Sequence, residues 1–195
     1  MNDTRQKIID AAKELFSTKG YAATTTKDIA GKAGISEVTL FRHFESKRNL
    51  FMVAVHSTFE ADILINFFEK DLTYDIERDL KKLSGFFYTL YKDNAKLMKM
   101  HIKDKDSEEI SEFSKPKVEM KVRTLSDEYF QKMHDMGVIS DEPIMCRKYF
   151  FSNVFGFLMR KFILEKTDDG TDYFNWMVEK TITAIKTDSS KTQKG

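Results

Sequence analysis

Apolar residues recur along this chain at spacings of three and four, the repeat of a helix with one buried face. Ile8, Ile9, Ala12, Leu15 and Phe16 form the first stripe, over residues 4–19, and Gly20 ends it. A second, shorter segment opens at Thr25-Thr26-Lys27-Asp28. There the Thr25 side chain can cap the helix, and Asp28 sits favourably at its positive end. Ile29, Ala30 and Ala33 give this segment its apolar side, and Gly34 suits the left-handed position that ends a helix. Ser36 then caps two further turns, Glu37 to His43, closed by Phe44. Helix, glycine turn and helix predict a helix-turn-helix, whose second member lies in the major groove of DNA.

The stripe resumes after Ser46. Leu50, Phe51, Ala54, Val55, Phe59, Ile63 and Phe67 predict one long helix over residues 47–70. Ile76, Leu80, Leu83, Phe87 and Leu90 predict another over 73–91, followed by a shorter one over 94–103. Residues 103–115 are the most polar internal stretch and read as a loop or a weak helix. Pro116 suits the first turn of a helix that Gly137 ends. Asp141 with Pro143 starts a helix to about residue 165, and Thr171 is placed to cap a last one to about 187. No repeat and no strand pattern emerges. The expected fold is all-α, with about nine helices: a three-helix DNA-binding domain over 1–48, a helical body over 49–187 and a polar tail, 188–195, too hydrophilic to order.

Composition narrows the function. A chain of 195 residues can bury a real core, and its two prolines and eight glycines suit helices. No run approaches the 18 uncharged apolar residues of a membrane span, and residues 1–16 lack the apolar core of a signal peptide. The single cysteine, Cys146, excludes an internal disulfide and fits a reducing compartment, so a cytoplasmic location is expected. The net charge of +1 conceals an asymmetry. Residues 1–55 carry nine Lys/Arg against six Asp/Glu, whereas the remainder carries 23 against 25. A mildly basic head on a neutral body supports nucleic-acid binding by the head. Catalytic and metal motifs are missing: His43, His56, His101 and His134 are scattered, and no phosphate-cradling loop, nucleophile elbow or cysteine pair occurs. His101, Asp104 and Glu108 can share a helix face, but a solvated face explains them better. Cys146 reads as a buried, inert thiol. The expectation is no enzyme, no metal and no cofactor.

Residues 4–52 resemble the N-terminal domain of the tetracycline-repressor (TetR) family of bacterial transcription regulators. The resemblance rests on the opening I-x-x-AA-x-x-LF and on AGIS-x-x-TLF-x-HF-x-SK. It implies a homodimer bound to double-stranded operator DNA, with a divergent effector-binding body. It also implies that the final two long helices form a four-helix bundle with the partner copy, and that a small molecule in the body moves the fourth helix and releases the DNA. A ligand-responsive repressor is the expected function, released by an apolar or aromatic effector. A constitutive DNA-binding dimer without an effector is the alternative.

Each position of the motif then acquires an expected role. Thr25 and Thr26 stand where helix amides and hydroxyls can hold a phosphate, and Lys27 can reach the same phosphates or a guanine edge. Behind the Ser36 cap, Glu37 can accept from cytosine N4, while Val38 and Thr39 can contact thymine methyls. His43 and Lys47 fall where the family contacts the DNA backbone, with Arg42 an additional basic candidate. The family usually has Tyr at the position of Phe41; losing that hydroxyl's phosphate bond costs about 0.5–1.5 kcal/mol.

In the body, Tyr149–Leu164 is apolar on nearly every face, as a helix buried on several sides must be. Phe151, Val154, Phe155, Leu158, Phe162, Phe174, Met177 and Ile182 are the expected dimer interface, with Gly156 permitting close approach. Phe67, Phe86, Phe87, Tyr91, Met98, Phe113, Tyr129, Met133, Phe155 and Met159 are the candidate effector pocket, because Met- and aromatic-rich interiors adapt to varied apolar ligands. Taken singly, each is better explained by ordinary core packing.

Overall fold

The structure, a computed structural model, describes residues 2–58, 61–103, 116–167 and 170–187. These hold nine α-helices and no sheet: α1 Asn2–Lys19, α2 Thr26–Ala33, α3 Glu37–Phe44, α4 Lys47–Thr58, α5 Ala61–Asn66, α6 Ile76–Lys103, α7 Pro116–Asp135, α8 Pro143–Leu158 and α9 Thr171–Ile185. Phe59, Asp104, Glu108, Phe113 and the 188–195 tail lie outside the described residues.

The chain divides into two compact units, one formed by residues 1–60 with 93–115 and the other by 61–92 with 116–195. In the first, α1 buries Ile8, Ile9, Ala12 and Phe16 against Ile29 and Ala30 of α2, Leu40 and Phe44 of α3, and Leu50, Phe51, Ala54 and Val55 of α4. The Phe16 ring meets Phe51 edge-on at 5.2 Å. Leu97, near the end of α6, completes this core, and Lys96 donates to the Thr18 carbonyl at 3.1 Å. The sequence boundary at 48/49 anticipated neither the extension through α4 nor the return of α6. Leu97 carries no local mark of its destination.

The second unit packs α7 against α8 and α5, and α8 against α9. Phe130, Phe150, Val154, Leu158, Phe174, Val178 and Ile182 are its enclosed centre. Two helices end in wider π-helical turns: α5 continues through Phe67–Asp71, and α8 through Met159–Ile163.

Several helix limits differ from expectation. The stretches 73–91 and 94–103 are one helix, α6, because Asp93-Asn94 contains no glycine or proline and a mid-helix Asn costs only tenths of a kcal/mol. Glu142, rather than Asp141, caps α8, accepting from the Met145 amide at 3.2 Å. Thr171 is not a cap: it is the first helical residue of α9, and its hydroxyl lies 3.2 Å from that of Tyr88. Gly137, at φ +71°, ends α7, as its position suggested.

Candidate DNA-reading surface

Local hydrogen bonds fix both ends of α2 and the start of α3 in the helix-turn-helix. Thr25 and Asp28 form a reciprocal capping box: the Asp28 amide donates to the Thr25 hydroxyl oxygen at 3.0 Å, and the Thr25 amide to the Asp28 carboxylate at 3.2 Å. The bonds from Thr25, with Lys19 at 3.5 Å, hold the Asp28 carboxyl below its ordinary pKa. Gly34 takes φ +69°, and the Ile35 amide reaches back to the Ala30 carbonyl at 3.0 Å, closing α2. Ser36 accepts from the Thr39 amide at 3.2 Å, and its hydroxyl lies 2.9 Å from that of Thr39.

This framework fixes the rotation of α3. Leu40 and Phe44, one turn apart, are buried in the head. Val38 and Arg42, also one turn apart, therefore project outward, with Phe41 beside them. Val38 is 79% exposed and Phe41 43%. An apolar side chain so exposed at the start of a helix is suited to a thymine methyl. Arg42 is exposed on this outward face. His43 is half-buried, its ring 6.2 Å from Phe44. Lys27 is exposed on α2.

Three further candidates are engaged within the head. The Lys47 ammonium sits 4.3 Å from the centre of the Tyr21 ring, and partial burial pushes its pKa down. The Thr26 hydroxyl donates to the Glu37 carboxylate at 2.5 Å, joining the first residue of α2 to the first residue of α3. Glu37 is thus neither a fully solvated side chain nor an unconstrained one. Sequence reasoning also missed Glu45, between α3 and α4. It adopts φ +60°, ψ −40°, and the Ser46 amide turns back to the Phe44 carbonyl at 2.5 Å, a γ-turn rarely tolerated without glycine. Nothing in the letters FES signals that geometry.

The model of the family described as bacterial regulatory proteins, tetR family, matches residues 8–53, the segment that builds this surface. That segment is therefore a tetR-family DNA-binding domain. Curated relatives agree: it is 47% identical over 66 residues to the uncharacterized HTH-type transcriptional regulator YvkB of Bacillus subtilis (strain 168), covering 33% of this chain and 35% of that protein. It is also 43% identical over 56 residues to the icaADBC HTH-type negative transcriptional regulator IcaR of Staphylococcus aureus, covering 29% and 30%. These matches span about a third of either relative. Beyond them the likeness is one of fold. A structure from Mesorhizobium loti MAFF303099 assigned to the tetR family superposes with a TM-score of 0.73 at 22% identity, covering 93% of this chain and 94% of that one. A TetR transcription regulator from Haloarcula marismortui ATCC 43049 gives 0.73 at 17%, covering 96% and 100%.

In the second unit, six of the pocket candidates, Phe67, Phe86, Phe87, Tyr91, Tyr129 and Phe155, join one network of ring contacts. Phe67, Phe87, Tyr91, Tyr129 and Met133 are buried, and Phe86, Phe155 and Met159 are half-buried. Ring contacts run from Phe67 through Phe68, Tyr129, Phe130, Phe150 and Phe151 to Phe155, which meets Phe87 at 4.9 Å. Met98 belongs to the first unit, with the head, and cannot line a cavity enclosed by the second unit alone.

The expected interface needs a correction. Val154, Leu158, Phe174 and Ile182 are enclosed by their own chain, so they are core residues and present no surface to a second copy. Phe151, Phe155, Phe162 and Met177 are half-buried. The apolar surface that α8 and α9 leave open carries Met145, Tyr149, Tyr173 and Trp176, with Gly156 exposed on α8. A run apolar on every face hides its own phase, which caused the error. The Cys146 thiol is buried, and burial pushes its pKa up. Among the described residues no group of three His, Cys, Asp or Glu could hold a metal, and no helix is long and apolar enough to cross a membrane.

Proposed function

We propose that the protein is a dimeric, DNA-binding transcriptional repressor that reads duplex DNA through the outward face of α3. The observation that carries this is the pairing of Val38 and Arg42 on one exposed face, while Leu40 and Phe44 lock the opposite face into the head. Arg42 supplies charge for phosphate or guanine, and Val38 a methyl contact. Thr25 supports the phosphate role, because its hydroxyl accepts from Asp28 and keeps its own proton to donate. Lys47, held over Tyr21, adds a fixed positive charge. Repression is the sign stated for IcaR, which shares a head-sized stretch with this chain. The partner is a second copy, docked through Tyr149, Gly156, Tyr173 and Trp176; nothing lies within 4 Å of where a Gly156 side chain would stand, so a facing helix can approach closely there.

We further infer that a small apolar or aromatic effector loosens DNA binding. The aromatic network and the two π-helical turns support this, since such turns mark adaptable segments of helices. The competing reading, a constitutive dimer, draws on the same rings being in mutual contact as a filled core. Selection of genomic fragments by the purified protein tests the DNA function. One shared, two-fold sequence should be enriched, and binding should weaken steeply with salt. Enrichment of no common sequence contradicts it. A panel of hydrophobic compounds that shifts neither melting temperature nor DNA affinity favours the constitutive reading.

A further inference from the structure

The Thr26–Glu37 bond links residues 11 apart, at the starts of the two helices of the motif. A glutamate opening an exposed short helix ordinarily samples several rotamers in water. Here one carboxylate oxygen is held at 2.5 Å, and the residue is half-buried. The bond also commits Thr26, since a hydroxyl has a single proton to donate. While Thr26 donates to Glu37, it has none to give a phosphate. Of the two hydroxyls at this end of α2, only that of Thr25 is then left to donate to a phosphate.

We propose that Thr26 and Glu37 form one specificity element, in which the hydroxyl holds the carboxylate as a fixed acceptor for cytosine N4. This rests on the DNA-reading function proposed above. An ionised carboxylate only accepts, and with about four lone-pair sites it can keep Thr26 while taking a second donor. In the major groove cytosine offers its N4 amino group as a donor. Adenine pairs its N6 donor with an N7 acceptor, guanine presents two acceptors, and thymine presents an acceptor and a methyl. The fixed carboxylate therefore favours cytosine, tolerates adenine and is repelled by guanine and thymine. Thr26 is the positioning residue: without its bond, Glu37 swings toward solvent and the penalty for a wrong base falls.

The test is selection from randomised duplexes by the full-length protein and by Glu37→Gln, Thr26→Val and Thr26→Ser, with circular dichroism showing that each is folded. Wild type should enrich cytosine at one position of each half-site, over guanine or thymine by roughly 5- to 100-fold. Glu37→Gln should move that position toward adenine, which glutamine binds in two-point fashion. Thr26→Val should flatten preference at the same position and no other, and Thr26→Ser should restore it. A selected site in which no position responds to Glu37→Gln overturns the element while leaving DNA reading intact. So does a Thr26→Val protein that binds all sequences more weakly with unchanged base preference. Failure of wild type to enrich any sequence overturns the DNA-reading function itself, and the element with it.

Discussion

The head and the body are both all-helical, yet they are specified by different kinds of interaction. In the head, directional bonds set several candidate side chains: Thr25 with Asp28, Ser36 with Thr39 and, across the motif, Thr26 with Glu37. In the body, ring contacts and close packing dominate, from Phe67 to Phe155 and from Tyr88 through Phe174 and Phe157 to Tyr173. Directional bonds tolerate few substitutions, whereas apolar volume can be supplied by many side chains. That contrast accounts for a family match confined to residues 8–53 beside a whole-chain likeness in fold at 22% identity.

The largest expected effect challenges the head's core. Leu40→Ala removes a fully buried side chain and should cost about 2–5 kcal/mol, with DNA binding lost as the head melts; thermal unfolding monitored alongside a binding titration checks it. In the body, Trp176→Ala should weaken self-association by about 2 kcal/mol or more, while the chain's own stability changes by about 0.5 kcal/mol at most. Leu158→Ala should do the reverse, unfolding the chain at a cost of about 2–5 kcal/mol. Sedimentation and urea unfolding of both variants separate interface from core, and the opposite pattern would return Leu158 to the interface.

Smaller effects probe the turns. Gly34→Ala places a side chain at φ +69° and should cost about 1–2 kcal/mol in urea unfolding. Glu45→Gly should stabilise the head by about 1 kcal/mol, because it relieves the left-handed backbone between α3 and α4. The smallest is a pH effect at Asp28. Its folded pKa lies below the unfolded value, so its contribution is complete above the unfolded pKa and disappears as pH falls through the folded one. Urea midpoints of wild type and Asp28→Asn should differ near pH 7 and converge in acid. A gap that persists at low pH would remove the carboxylate's charge from the explanation.

Legibility in the sequence followed the same divide. The Thr25 cap, the left-handed Gly34 and the Ser36 cap were all readable, because each is set by residues at most five apart. The Thr26–Glu37 bond and the γ-turn at Glu45 were not: one crosses the motif, and the other is a backbone state with no characteristic residue. In α8 the apolar residues were visible, but their allocation between core and surface was not. Val154 and Tyr149 differ in what surrounds them, and that depends on α7 and α9. Leu97 is the extreme case, a helical leucine that ends in the core of residues 1–60.

The proposed function requires α3 to enter the major groove as one of a pair. Footprinting of the purified protein on an enriched duplex tests this most directly. Two symmetrical protected half-sites, centred about one helical turn or 10–10.5 base pairs apart, are expected. Protection of a single half-site, or uniform protection that ignores sequence, would contradict it.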